Sequence, residues 1–216
     1  MEIAGFFRAH GRIFEAEPEQ SIVSRGGKAS DVHIVLTGRV LLHSSSPLGH
    51  RFVYDIIKPG ELFGLAAILK QTDARLDAVA LTQSTLAAID SFALERALLD
   101  QPELAVQVLK HCVHFLKKRS AQLSDFALLS FPGRLAKWFM YFADEQGIHL
   151  QVGTMFQCDY PKSLIAQMIG VSRETVSRQI QKWEEAGIAA HTGKTICILD
   201  PGRLQLIANG HIMKWD

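Results

Sequence analysis

The sequence predicts an α+β chain: a small antiparallel barrel or double-sheet roll, then one long helix, then a winged helix-turn-helix. Three observations predict it. Short apolar runs broken by glycine and proline fill residues 21–90, an apolar three-and-four repeat follows position 100, and two short amphipathic helices split by a glycine precede two strand-like runs near the C-terminus. The corresponding divisions are 1–100, 101–130 and 131–216.

The strand-like runs of the first division are Ser21–Val23, His33–Leu36, Arg39–His43, Arg51–Ile57, Ala78–Leu81 and Thr85–Ile89. Between them fall Gly26-Gly27, Gly38, Pro47, Gly49 and Pro59-Gly60, residues that supply the backbone angles of tight turns. A roll of this kind can enclose a small ligand. The first twenty residues carry acidic side chains and no apolar run before a small-residue cleavage site, so no secretory signal is expected. At 216 residues and 48% hydrophobic, the chain suffices for two modest domains with cores, and no stretch is long and apolar enough to span a membrane. A cytoplasmic protein is expected. Cys112, Cys158 and Cys197 are widely separated and odd in number, which fits reduced thiols, and they show no metal-ligand spacing.

In the second division Leu104, Val108, Cys112, Phe115, Leu116, Arg119, Leu123 and Phe126 follow a three-and-four repeat, with Lys117-Lys118-Arg119 interrupting the polar face. Two copies of such a helix pairing as a coiled coil would bury the stripe. So would the core of a monomeric domain.

The third division is the most informative. Leu164, Ile165, Met168 and Ile169 mark one helical face behind Asp159 and Pro161, and Gly170 ends that helix. Ser172 is an N-cap for the next, on which Val176, Ile180 and Trp183 share one side while Arg173, Glu174, Ser177, Arg178 and Gln181 share the other. Such a face suits a DNA major groove, because Arg forks onto guanine O6 and N7 and Glu accepts from the cytosine amino group. It would equally serve as the solvated side of an ordinary amphipathic helix. The residues beyond this helix narrow the choice: Gly187 closes it, and Ile188 to Leu199 reads as two strands around a Thr-Gly-Lys turn that presents Lys194 to phosphate.

Charge adds little. Lys and Arg match Asp and Glu at fourteen each in residues 1–127 and stand at nine against eight thereafter, so neither half is basic. Double-stranded DNA as a partner then depends on a few placed cations, Arg173, Arg178, Lys194 and Lys162, with pronounced salt sensitivity. No P-loop, Gly-x-Ser-x-Gly elbow, His-Glu-x-x-His pair or double-glycine dinucleotide loop occurs, so no enzyme is expected.

The run Ser163-Leu164-Ile165-Ala166-Gln167-Met168-Ile169-Gly170, followed by SRETVSR, QKWEEAGIA and GKTI, resembles the DNA-binding domain of the cyclic AMP receptor protein and fumarate-nitrate regulator (Crp/Fnr) family. Phe131-Pro132-Gly133-Arg134-Leu135-Ala136 resembles that family's hinge and first DNA-domain helix, and Lys58-Pro59-Gly60-Glu61-Leu62-Phe63-Gly64 the start of its effector cassette. The resemblance implies a cyclic-nucleotide-binding-like β jelly roll, a long dimerisation helix and a winged helix-turn-helix. It further implies a homodimeric, sequence-specific transcription regulator on an inverted-repeat site, with RNA polymerase as a partner. Arg173, Glu174 and Arg178 match a TGTGA-like half-site, and Ser177, shared with the fumarate-nitrate type, keeps a TTGAC-like one open.

The effector residues implied are Gly60, Glu61, Leu62, Phe63, Gly64, Leu65, Arg75, Arg119 and Ser120. They depart from the cyclic AMP pattern. Leu65 stands where that pattern has a Glu accepting from the ribose 2′-hydroxyl, Ala74-Arg75 where it has Arg-Ser/Thr holding the phosphate, and Arg119-Ser120 where it has Thr-Ser meeting adenine. An unpaired hydroxyl and a poorly held charge each cost on the order of 1–3 kcal/mol, so cyclic AMP in that mode is not expected. An iron–sulfur cluster is not expected either, since the first 111 residues hold no cysteine. Haem stays open among nine histidines, of which His111 and His114 lie three apart on the long helix. Ligand in the roll is expected to alter packing from Phe126 to Phe131 and swing the DNA domains about Pro132-Gly133, unless the dimer is held in one state and acts constitutively. The alternative function class is a cyclic-nucleotide-like or haem-binding sensor module that acts through a protein partner. Such a module has no use for duplex binding that depends on Arg173 and Arg178.

Overall fold

Both faces of the strand Asp31–Thr37 are covered. Val32, Ile34 and Leu36 point to a layer of helices, and Val35 points to the interior of a roll, as the two-residue period of a strand requires. The computed structural model describes residues 2–69 and 73–211. The chain separates into a unit ending at Lys117 and a unit beginning at Lys118, so the division falls inside one continuous helix.

The first unit runs α1 (Ile3–His10), β1 (Arg12–Ala16), β2 (Ser21–Val23), β3 (Asp31–Thr37), β4 (Val40–Ser45), β5 (Arg51–Ile57), β6 (Leu62–Phe63), a 3-10 turn (Leu65–Leu69), β7 (Asp77–Ala80), β8 (Ser84–Asp90), α2 (Ser91–Asp100) and the start of α3 (Pro102–Leu128). Its strands form two antiparallel sheets, ordered β1-β8-β3-β6 and β2-β7-β4-β5. Val35, Val40, Leu42, Ile57, Phe63 and Leu86 fill the space between them, with Ala16, Ala78 and Ala80 as the small residues that let the sheets approach. A second cluster joins Val32, Ile34, Leu36 and Leu62 to Phe6 and Phe7 of α1, Leu94 of α2, and Leu104 and Val108 of α3. The expected roll is present, with β1, β6 and α1 added to the runs expected from sequence.

α3 has two apolar sides. The expected stripe is the inward one at its start, where Leu104 and Val108 are buried and Cys112 packs beside them. Further along, Leu116 (65%) and Leu123 (72%) of the same expected stripe are exposed, together with Val106, Leu109 (61%) and Val113, which lie outside it. With Ser120 and Ala127 these recur every three and four residues as one heptad seam, with Val106, Val113, Ser120 and Ala127 at a and leucine at d.

The second unit contains the end of α3, then α4 (Phe131–Glu145), β9 (Thr154–Gln157), α5 (Lys162–Ile169), α6 (Arg173–Glu185), β10 (Ala189–Thr192), β11 (Thr195–Ile198) and α7 (Pro201–Ala208). The strands form one sheet, β10-β11-β9, and the core collects Leu135, Phe139, Ile165, Ile180, Trp183, Ile196 and Leu204. Pro132-Gly133, expected as a hinge, lies in the first turn of α4, where proline needs no N–H partner. The break between helices is at Leu129-Ser130 instead. Gly133 lies close to α7: a Cβ there would sit 3.1 Å from the Ile207 carbonyl oxygen, a tight approach.

Candidate nucleic-acid interface and effector site

α5 ends at Gly170, whose φ of 73° and ψ of 42° place it in the left-handed region that a side chain resists. Its N–H and that of Val171 both return to the Ala166 carbonyl, closing the helix. Two residues later the Ser172 hydroxyl accepts from the Thr175 N–H at 3.1 Å and caps α6. Val176, Ile180 and Trp183 are buried as expected, and each is worth about 1.5–3 kcal/mol when fully removed from water. This anchoring turns Arg173, Glu174 and Arg178 outward, where all three are exposed, with Ser177 half-buried between them. Glu174 lies in the first turn. Its own backbone N–H, then the Ser172 hydroxyl, hold its carboxyl below the usual range, so it is an ionised acceptor at neutral pH.

Lys194 is at the tip of the two-residue turn between β10 and β11, 75% exposed, with its ammonium 3.5 Å from the Asp159 carboxylate. An exposed pair of this kind is worth little and leaves the cation available. β9 completes the wing by pairing with β11, Met155 opposite Cys197. Arg134 was not singled out from sequence. Its guanidinium donates to the carbonyls of Leu129 at 2.8 Å and Ile169 at 3.0 Å, joining the end of α3 to the turn of the helix pair.

The effector residues lie in the first unit except for two. Gly60 donates to the Val35 carbonyl, the Lys58 N–H donates to the Glu61 carboxylate at 2.8 Å, and Leu62 and Phe63 are buried in β6. Gly64 is exposed, and a Cβ there would press on the Asp31 carbonyl at 2.8 Å. Leu65 packs with the helix-side apolar cluster and offers no acceptor. Ala74 is held by backbone bonds to Gly26 and Gly27, and Arg75 is exposed. Arg119 and Ser120 are on α3 in the second unit, Arg119 donating to Gln122 at 2.7 Å and Ser120 exposed on the heptad seam.

Among the described residues no three His, Cys, Asp or Glu side chains group as a metal site. Of the histidines left open for haem, His33 is buried on the roll interior, stacked 4.8 Å from the Phe63 ring, and burial lowers its pKa to about 4. His43 and His191 are also buried and also shifted down, by burial first. His10 stacks on Phe6, and His111 reaches the backbone of Leu62. No helix of the described residues is long and apolar enough to cross a membrane.

Residues 13–101 match the family model described as a cyclic nucleotide-binding domain, and residues 133–207 the one described as a Crp-like helix-turn-helix domain. Over 184 residues the chain is 26% identical to a CRP-like cAMP-activated global transcriptional regulator of Mycobacterium tuberculosis, covering 85% of this chain and 82% of that one. Its fold is similar to FixK2 of Bradyrhizobium japonicum, with a TM-score of 0.75 at 21% identity, covering 95% and 99% of the two chains. It is also similar to CLP of Xanthomonas campestris, described as a c-di-GMP responsive global regulator, with a TM-score of 0.79 at 19% identity over 91% and 98%.

Proposed function

The chain belongs to the Crp/Fnr family of DNA-binding transcription regulators, and from that premise we propose that it works as a homodimer reading an inverted repeat through α6, without the family's usual response to cyclic AMP. One observation carries the reading: Arg173, Glu174 and Arg178 stand exposed on the outer face of a capped helix whose inner face is fixed by Val176, Ile180 and Trp183. Arg173 and Arg178 are assigned to guanine edges, Glu174 to a cytosine amino group, Ser177 to a neighbouring base or phosphate, and Lys194 to phosphate.

The exposed seam of α3 supports the dimer. Apolar side chains at every a and d position from Val106 to Leu116 face water in the single chain, and valine at a with leucine at d favours two parallel strands. A parallel pair is two-fold symmetric and sets two recognition helices about 34–36 Å apart, one DNA turn. Its site of action is the cytoplasm, with RNA polymerase as the further partner.

Leu65 and Ala74 support the departure from cyclic AMP. A leucine accepts no ribose hydroxyl, and a methyl holds no phosphate. The M. tuberculosis relative is named as cAMP-activated and CLP as c-di-GMP responsive, so family members differ in the nucleotide they answer to.

The test is anisotropy titration of a fluorescent TGTGA inverted repeat against a scrambled duplex, with and without cyclic AMP, between about 50 and 200 mM salt. Specific, salt-dependent binding indifferent to the nucleotide is expected. Equal affinity for the scrambled duplex, or specificity appearing only with cyclic AMP, contradicts the reading.

A further inference from the structure

β6 is the edge strand of its sheet, and Leu62 lies opposite Ile34 on β3. The Val35 N–H and C=O are engaged by Glu61 and Gly60. In an antiparallel pair successive residues alternate between facing the partner and facing away, so the N–H and C=O of Leu62 face the open edge. A buried edge needs a partner for those groups. His111 of α3 supplies it: its Nε2 lies 3.1 Å from the Leu62 nitrogen and 3.1 Å from the Leu62 oxygen. One ring nitrogen serves either group according to the tautomer, accepting from the N–H or donating to the C=O.

The place of this contact matters. Leu62 is flanked by Glu61 and by Phe63-Gly64-Leu65, the cassette implied for the effector, and its side chain is 3% exposed in the cluster that holds Leu104 and Val108. His111 sits between Leu109 and Val113 in sequence, and both of those belong to the exposed seam. The imidazole therefore ties a strand edge inside the cassette to the same two turns of helix that carry the pairing surface. Apolar packing at Leu104, Val108 and Cys112 tolerates small slides, but a hydrogen bond at 3.1 Å does not.

We propose that His111 is the positioning residue that couples the cassette at Gly60–Leu65 to the pairing seam of α3. The proposal rests on the homodimer reading above. Ordering of the cassette holds His111 and sets the seam, and pairing of the seam in turn orders the cassette, because the coupling is reciprocal.

The experiment measures hydrogen exchange by mass spectrometry across residues 58–66 of the full chain. Protein concentration is varied from below to above the dimer dissociation constant, which sedimentation gives independently. In the unaltered chain, exchange within this segment slows about tenfold on dimerisation. His111→Leu, which offers neither donor nor acceptor, is expected to lose that concentration dependence and to dimerise more weakly. His111→Gln, whose carboxamide offers both, keeps the dependence. An unchanged dependence in His111→Leu, or none in an unaltered chain that does dimerise, overturns the coupling alone. An unaltered chain that stays monomeric overturns the homodimer and the coupling together, and loss of duplex binding by an intact dimer overturns only the DNA assignment.

Discussion

The guanidinium of Arg134 lies over the ring of Phe126, its central carbon 4.8 Å from the ring centroid. In the same pose it donates to Leu129 and Ile169, while Lys137 of the next turn pairs with Asp125. One planar side chain thus meets the last turn of α3, the break after it and the final residue of α5. Arg134→Lys keeps the charge but not the fork. It is predicted to lower the stability of the second unit by about 2 kcal/mol, as two hydrogen bonds from a charged group and one stacking contact are lost. Urea unfolding followed by tryptophan fluorescence reads this, since Trp138 and Trp183 both lie in that unit.

Acid should weaken the first unit through His33. Its pKa in the folded chain is about 4 against an ordinary 6.5, from burial first, with Arg12 adding and Asp31 opposing. The unfolded chain then binds the proton more readily, so the stabilisation is complete above about pH 6.5 and is lost as pH falls towards 4. Between pH 7 and pH 5 the loss from this residue is about 2 kcal/mol. His43, in the same unit, shifts in the same direction and adds to the slope, and His191 acts likewise on the second unit. His33→Phe, which preserves a ring against Phe63, is predicted to flatten the dependence. Urea midpoints of the two chains at pH 7 and pH 5 test it, and equal slopes would count against His33.

Leu116 is 65% exposed at a d position of the seam. Leu116→Lys places two like charges across a two-fold axis and is predicted to leave a folded monomer. Duplex affinity then falls by about 100-fold or more, because the second half-site is no longer held at high effective concentration. Sedimentation and circular dichroism together separate this from unfolding.

Lys194→Ala is predicted to weaken binding to all duplexes alike and to reduce the slope of log affinity against log salt by about one unit. Asp159→Asn removes the carboxylate 3.5 Å from the Lys194 ammonium. It is predicted to strengthen binding about two- to threefold, again without regard to sequence.

The local signals in the second unit were legible because single residues dictate them. Gly170 must turn left-handed, Ser172 must cap, and Val176, Ile180 and Trp183 recur on one face, so the helix pair could be read residue by residue. β9 could not: Thr154-Met155-Phe156-Gln157 is one short strand whose meaning depends on β11, distant in sequence. The long helix shows a subtler failure. Leu104, Val108 and Cys112 and the set Val106, Leu109, Val113 both satisfy a three-and-four repeat, and only the packing of the first set against Phe6, Phe7 and Leu94 reveals that the second is exposed. Arg134 and His111 were invisible as connectors because both bind backbone carbonyl or amide groups, which every sequence offers equally. In the cassette, the glycine pattern was readable, whereas the packing of Leu65 with the helix-side cluster was not.

The outer face of α6 is assigned to base readout. The most direct measurement is the affinity of Arg173→Ala and Arg178→Ala for the matched inverted repeat and for duplexes altered at one guanine per half-site. Base readout predicts a loss of about 1–3 kcal/mol on the matched duplex and almost none on the duplex lacking the guanine that the arginine contacts. An equal loss on every duplex would reduce both arginines to phosphate contacts and contradict the assignment.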